Sequence, residues 1–318
     1  MKNISIITLL ATAAIAASCS FLDEQLKGDY SSETYYTNSE NAVMAVNAVY
    51  NSLYNNTEWI FGDVASDDTV KGGNAGDAAD INNIDQLNAT SDNGPIGTYW
   101  QHRYETIARA NNAIANISKL NIDAALQTRL IAECRFLRAY SYFCLVNVFG
   151  EIPLKTQPQT SADAIHVGVS SVDKIYAQID EDLQEAAKGL EEKSVEFGRA
   201  TKGAAYGLLA KSLLFQKKYS EAQKAIENLE ALHIYSLEPK FEDLFKQGGD
   251  KSPESIFALR YGNTTTASLG NNLNVWFAPS KDGGYYFNAP TQSLVDCYHT
   301  NDPRLDASLG RDGKPLFD

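Results

Sequence analysis

Apolar residues recur along this chain at helical spacing, and the stretches where that rhythm stops are as distinct as those where it runs. In NSENAVMAVNAVYNSLYN, Asn38 or Ser39 stands where an N-cap belongs, and Val43, Val46, Val49, Tyr50 and Leu53 follow at helical intervals. A first helix is predicted there. From Thr57 to Gly97 the pattern collapses into Gly, Asn, Asp, Ser and Thr, a long loop by composition. Loops of this length are uncommon unless functional or disordered. Periodicity returns in TYWQHRYETIARANNAIANISKL, where Trp100, Tyr104, Ile107, Ala108, Ile114 and Ile117 form one stripe opposite polar residues. In the next stretch Asp123 can cap, Leu126, Leu130, Leu137, Tyr140, Cys144 and Val148 share a face, and Gly150 with Pro153 ends the helix.

Two further helical stretches follow, SVDKIYAQIDEDLQEAAKGLEE and TKGAAYGLLAKSLLFQKKYSEAQKAIENLEAL. The second reads as a helix pair. Its Ala204, Gly207, Leu208 and Leu214, followed by KKYSEAQKAI, resemble one tetratricopeptide unit, in which small residues let antiparallel helices approach closely. Past Tyr235 the chain turns irregular, with a short strand expected at SIFALRY and then a segment rich in Gly, Asn and aromatics. The fold class expected is therefore all-α dominated: tetratricopeptide-like helical pairs over residues 37–235, a long inserted loop at 57–98, and an irregular, loop-rich second lobe from residue 236 to 318.

The N-terminus departs from this picture. Lys2 supplies a positive start, Ile4 to Ala17 form an almost uncharged run, and Ala16, Ala17 and Ser18 are small residues preceding Cys19. This reads as an export signal over residues 1–18, with an apolar core shorter than the ~20 residues a spanning helix needs. Cys19 is either an ordinary thiol beside a cleavage site or the first residue of a lipidated mature chain. The lipid reading is the stronger, because the stretch looks like the start of a bacterial lipoprotein, although Ala16 stands where leucine is more usual. Each buried methylene of an acyl chain contributes about 0.8 kcal/mol, so a multiply acylated Cys19 would hold the protein to a lipid bilayer, with residues 19–36 as a leash.

Composition narrows the classes. At 318 residues, with 44% hydrophobic and 21% charged residues, the chain can build a sizeable core. Its net charge of -13 speaks against a nucleic-acid partner, which would need phosphate-neutralising cations. With Cys19 acylated, Cys134, Cys144 and Cys297 are an odd number. Cys134 and Cys144, ten residues apart on one helix, would stand ~15 Å apart, beyond disulfide reach, and read as core residues. His102, His166, His233 and His299 are scattered, without His-x3-His or Cys-x2-Cys spacing, so no metal or cofactor is expected. Neither a Gly-x-Ser-x-Gly elbow nor a P-loop is present. Glycoside hydrolysis needs only two carboxylates across a cleft, and a chain this acidic leaves that alternative open.

The stretch ECRFLRAYSYFCLVNVFGEIPL resembles the Glu-x-x-Phe-Leu-Arg-Ala-Tyr helix, ending in Phe-Gly-x-x-Pro-Leu, of the SusD/RagB family. CSFLDEQ, YYTNSENAVMAVNAVYNSLY, YWQHRYETIARANNAI, GRATKGAAYGLLAKSLLFQKKYSEA, PESIFALRY and NDPRL continue the likeness in order across nearly the whole chain. The resemblance implies a lipid-anchored protein of the outer membrane, facing the cell surface, that binds a glycan and passes it to a SusC-like, TonB-dependent outer-membrane transporter without catalysis. Members usually continue well beyond NDPRL, so residues 236–318 are expected to be the start of an incomplete ligand-binding lobe. A surface glycoside hydrolase, a peptide or glycopeptide binder, and a pure scaffold are the alternatives.

Sugar recognition needs flat apolar faces for C–H surfaces, with amides and carboxylates beside them for hydroxyls. Both irregular segments offer that mixture: Trp59, Asp67, Asp68 and Asn74 in the first, Asn271, Asn274, Trp276, Tyr285 and Tyr286 in the second. Each has a packing reading beside the ligand one. For Trp100 packing prevails, for Trp59 it leads, and for Trp276 neither does. Adjacent acids such as Asp67 and Asp68 read first as a solvated turn. Glu133, Arg135 and Arg138 read as structural ion pairs at helix surfaces.

Overall fold

The computed structural model describes residues 35–54, 57–159, 167–194, 196–263 and 268–310. The export signal, Cys19 and the leash up to residue 34 lie outside the described residues, as do His166 and residues 311–318. Contacts divide the chain into Met1–Thr37 and Asn38–Asp318. In the first unit Tyr35 and Tyr36 meet edge to face, with ring centroids 5.3 Å apart.

The second unit runs α1 (Ser39–Asn51), a π-turn (Ile60–Val64), β1 (Thr69–Gly72), α2 (Ala79–Asp85), α3 (Gly94–Ile117), α4 (Ala124–Phe149), β2 (Ile152–Pro153), β3 (Val169–Ser170), α5 (Val172–Gly189), α6 (Lys202–Phe215) and α7 (Tyr219–Glu230). After two 3-10 turns come β4 (Gly262–Asn263), β5 (Ser268–Leu269), α8 (Leu273–Phe277), β6 (Phe287–Pro290), α9 (Gln292–Asp296) and α10 (Pro303–Ser308). The predominance of helix bears out the expected class. Residues 57–98, expected to be a loop, instead hold a π-turn, a strand and a helix.

Local signals explain most helix starts. Asn38 Oδ1 accepts from Asn41 N at 2.9 Å, Asp123 Oδ1 from Leu126 N at 2.8 Å, and Thr201 Oγ1 from Ala204 N at 3.2 Å. The helix expected from Thr98 begins a turn earlier, because Asn93 Oδ1 accepts from Ile96 N and Pro95 sits in the first turn. Neighbours in sequence pack side by side: α3 on α4, α4 on α5, α5 on α6 and α6 on α7, with α1 across α3 and α4. Among the described residues no helix is long and apolar enough to cross a membrane.

Three expectations are corrected. The buried face of α3 is Tyr99, Arg103, Thr106, Ile107, Ala110, Asn111, Ala113 and Ile117, rotated from the predicted stripe; Trp100 and Tyr104 flank it and Ala108 is exposed. Partners rather than hydropathy decide this. Arg103 pairs with Glu58 and lies over the rings of Tyr99 (5.0 Å) and Tyr140 (5.2 Å), while Asn111 Nδ2 donates to Lys155 O at 2.9 Å. Second, α4 is buried on every side, from Leu130 through Phe136, Arg138 and Tyr142 to Val146, because helices pack around it, and Val148 of the predicted face is exposed. Third, no strand forms in SIFALRY; Phe257 instead sets its ring on Phe136 of α4, at 4.9 Å.

The ion pairs predicted among Glu133, Arg135 and Arg138 at helix surfaces are corrected in both place and partner: all three residues are in ion pairs, but Arg135 and Arg138 turn to Asp182 and Glu133 to Arg129 and Arg199, and both acids lie inside. Asp182 is fully buried and receives Arg138 Nε at 2.8 Å and Nη2 at 2.7 Å, with Arg135 Nη1 at 3.1 Å. Arg138 Nη1 also donates to Asn111 Oδ1 at 2.7 Å and to Thr156 O at 3.0 Å. Glu133 is held by Arg129 at 2.5 Å and Arg199 at 2.9 Å. Both buried acids are thus matched, the condition under which burial of ions is tolerated. Cys134 is a core residue, as expected, and burial pushes its thiol pKa up.

Candidate functional site

The two polar-aromatic segments, far apart in sequence, are joined by a strand pair. β1 runs antiparallel to β6, with Thr69 opposite Pro290, Val70 opposite Ala289 and Gly72 opposite Phe287. At one end Thr291 N donates to Asp68 O at 2.9 Å and Thr291 Oγ1 to Asp67 O at 2.9 Å. At the other, Gly73 N donates to Tyr286 O at 2.8 Å. Gly72 has φ +69°, and a Cβ there would run into that same carbonyl, so the close approach requires glycine.

Beneath the pair lies a small core of Trp59, Ile60, Val64 and Ile84, packed by Leu273, Trp276, Phe277 and Phe287. The Trp59 ring meets Phe277 edge-on at 5.3 Å and Trp276 at 6.0 Å, and it lies nearly parallel to Phe287, 13° off at 6.2 Å. Phe287 in turn lies 15° from the plane of Tyr285 at 5.7 Å. Rings thus stack outward from a buried tryptophan, 6% exposed, to a tyrosine that is 53% exposed. Offset stacks of this kind contribute about 0.5–1.5 kcal/mol per pair beyond burial.

The rim is held in a costly conformation. Tyr286 and Asn288 both have φ of 58°, a left-handed setting that side chains rarely adopt. Hydrogen bonds on both sides fix it. Tyr286 N donates to Ala278 O at 3.0 Å while its carbonyl takes the Gly73 bond, and Asn288 Nδ2 donates to Asp63 Oδ2 at 2.8 Å. Lys71, 4% exposed, turns its ammonium inward, donating to Asn74 O at 2.8 Å and Asp77 O at 2.9 Å, 5.7 Å from the Phe287 ring centre.

The residues singled out from the sequence divide accordingly. Trp59 is corrected to a packing residue: the core covers its ring, leaving no face for a ligand. Trp276 is half-buried against it. Tyr285 and Tyr286 are outward and adjacent, and Asn74 is exposed just beyond the Gly73 bond that ties β1 to Tyr286. Asn271 and Asn274 are exposed at the start of α8, with Asn271 Oδ1 accepting from Leu273 N at 3.2 Å. Tyr285 N donates to Val275 O at 3.0 Å, which brings that helix against the tyrosines. Asp67 and Asp68 are exposed at the opposite end of β1, so a strand of four residues, about 13 Å, separates them from Tyr286. Their main chain, not their carboxylates, makes the contacts to Thr291. Among the described residues no group of three or more His, Cys, Asp or Glu converges.

Two concavities lie outside this lobe. One of about 320 Å³ is lined by Tyr50, Tyr54, Phe197, Arg199 and Tyr261, and one of about 470 Å³ adjoins it, the two sharing Phe197 and Arg260, whose guanidinium lies 4.0 Å over the Phe197 ring.

A SusD-like family model, described as starch-binding associating with outer membrane, matches residues 20–214. The chain belongs to the SusD-like family. SusD-like protein P2 of Formosa agariphila is 30% identical over 284 residues, covering 84% of this chain and 55% of that protein. A SusD-like protein of Bacteroides ovatus is 29% identical over 280 residues, covering 82% and 50%. The chain spans about half the length of these curated relatives. Among solved structures, a laminarin binding SusD-like protein superposes with a TM-score of 0.77 at 27% identity, over 86% of this chain and 66% of that one. Surface glycan-binding protein A from Bacteroides fluxus gives 0.75 at 26%, over 86% and 64%.

Sequence reading of this SusD-like chain missed Lys71, Phe277, Phe287 and Asn288. The Trp-Ile-Phe run at 59–61 and Thr-Val before Gly72-Gly73 carry the signal of a buried turn and a strand end, but the surrounding Asn, Asp and Gly mask it.

Proposed function

We propose that the lobe made of residues 57–98 and 270–290 captures a glycan by stacking it on Tyr285 and Tyr286, with Asn74, Asn271 and Asn274 bonding its hydroxyls. The observation that carries this reading is the ring stack, whose inner end is locked by packing and whose outer end is open to solvent. A rigid, pre-ordered aromatic face is what a flat sugar surface needs, since little ordering remains to be done on binding. The likeness to a laminarin binding protein favours the same reading. In it, residues 236–318 contribute to the ligand-binding lobe together with residues 57–98, while the rest of residues 37–235 supplies its scaffold.

On this reading the protein is an outer-membrane lipoprotein held through acylated Cys19, with residues 19–36 as its leash, that hands the glycan unchanged to a SusC-like, TonB-dependent transporter. The family model's description, associating with outer membrane, favours that location. Affinity electrophoresis against a panel of polysaccharides tests the capture step: one glycan should retard the wild type, and Tyr285→Ala should weaken it. Retardation equal in both proteins would remove Tyr285 from the site. Product release from the same glycan on chromatograms would establish the hydrolase instead. Co-purification from outer membranes should recover a TonB-dependent channel, and its absence would break the transporter link.

A further inference from the structure

The glycan-facing lobe has an electrostatic character that the helical body does not share. Residues 57–98 carry Glu58, Asp63, Asp67, Asp68, Asp77, Asp80, Asp85 and Asp92 against a single cation, Lys71, and residues 270–290 add only Lys281 and Asp282. Lys71 presents nothing to solvent, because its ammonium is spent on the carbonyls of Asn74 and Asp77 beneath the Phe287 ring. Glu58 is neutralised by Arg103, but Asp67, Asp68, Asp80 and Asp92 are exposed, while in the second segment the exposed Asp282 is balanced by the exposed Lys281 beside it. The helical body, in contrast, sets arginines against its buried acids, as at Asp182 and Glu133.

Resting on the binding reading above, we infer that this lobe selects uncharged glycans and rejects polyanionic ones such as uronate or sulfated polysaccharides. The carboxylates make no ligand contact; the tyrosine face binds, and the surrounding field decides what approaches it. A like-charged polymer must bring many negative groups within a Debye length of this surface, about 10 Å at 0.1 M salt and about 30 Å at 0.01 M. Asp67 and Asp68, a strand's length from Tyr286, fall inside the larger radius and act at low salt. Such fields change association rates by about tenfold or more. A neutral glycan meets no such barrier, and its stacking on Tyr285 is indifferent to salt.

The test is affinity electrophoresis of the full chain in non-ionic detergent with a chelator present, at about 10 mM and about 200 mM ionic strength. Laminarin and starch serve as neutral probes, and alginate, polygalacturonate and carrageenan as anionic ones. At low salt a neutral probe should retard the protein about tenfold more strongly than any anionic one, and the neutral retardation should not change with salt. Asp67→Lys combined with Asp68→Lys should gain retention on the anionic probes that high salt removes. Both side chains are exposed and make their contacts through the main chain, so the strand pair survives the change. Anionic probes retarding the wild type as strongly as neutral ones at low salt would overturn the inference while leaving glycan binding intact. A charge-reversed variant that gains nothing on the anionic probes would likewise overturn it. Failure of every neutral probe with retention on none of the others would sink the binding reading itself, and this inference with it.

Discussion

The helical body buries charges in its interior. Asp182 and Glu133 lie buried under arginines drawn from other parts of the chain. In the lobe the corresponding place is taken by Trp59, and nearly every charge except Lys71 is at or near the surface. A body centred on matched charges fails as a whole when one partner is lost, because the remaining charge cannot leave. A lobe centred on rings can loosen locally, and its outward acids are free to serve recognition. The two regions therefore respond differently to substitution.

The largest effect is expected in the body. Arg138→Met removes two bonds to the fully buried Asp182 and one each to Asn111 and Thr156, and should cost about 3–5 kcal/mol of unfolding free energy in denaturant titration, with all probes moving together. Loss of under about 1 kcal/mol would show that the pair is not central to the body. Next comes Trp59→Ala, which empties the middle of the small core and should cost the lobe about 3 kcal/mol. Here the far-UV helical signal should persist while proteolysis opens within residues 57–98. Simultaneous loss of the helices would merge the two regions and end the contrast.

Smaller effects sharpen the account at the surface. Tyr285→Ala exposes the Phe287 ring but removes a half-exposed side chain, so stability should shift by about 0.5 kcal/mol, against a fall in glycan affinity of about tenfold, or 1.4 kcal/mol. Equal changes in stability and affinity would reduce Tyr285 to a packing residue. The smallest effect is chemical: an alkylating reagent at pH 9 should label the exposed Cys297 and leave Cys134 untouched, because burial pushes the Cys134 thiol up and keeps it protonated. Labelling of Cys134 in the native protein would show that α4 opens.

The helices were legible because their signals are local. Asn38 and Asp123 cap where expected, and the pair from Thr201 to Leu232 appears as α6 and α7. The face of α3 was not legible, since Arg103 and Asn111 look like surface residues until Glu58, Lys155 and Arg138 are placed beside them. Arg138 finds its partner Asp182 44 residues away, so from the local sequence it reads only as a surface partner of Glu133. The lobe was half legible. Both segments were named for their aromatic and amide content, but the strand pair that unites them joins residues over 200 apart, as Asn288 and Asp63 illustrate at 225. No periodicity in a short segment reports a partner at that distance. Trp59, for which packing leads, and Tyr285 both stand among the sequence candidates, and only the packing itself separates the buried end of the stack from the open one.

The central claim is that the lobe, not the helical body or the concavities beside Phe197, meets the glycan. Amide hydrogen exchange of the full chain in detergent, with and without a saturating neutral oligosaccharide that binds, reads this directly. Protection should rise in residues 66–78 and 270–290 and stay unchanged in α3 to α7. Protection centred instead on residues 47–54, 196–199 and 259–261 would place the ligand in the cleft between Tyr54 and Phe197 and contradict the account.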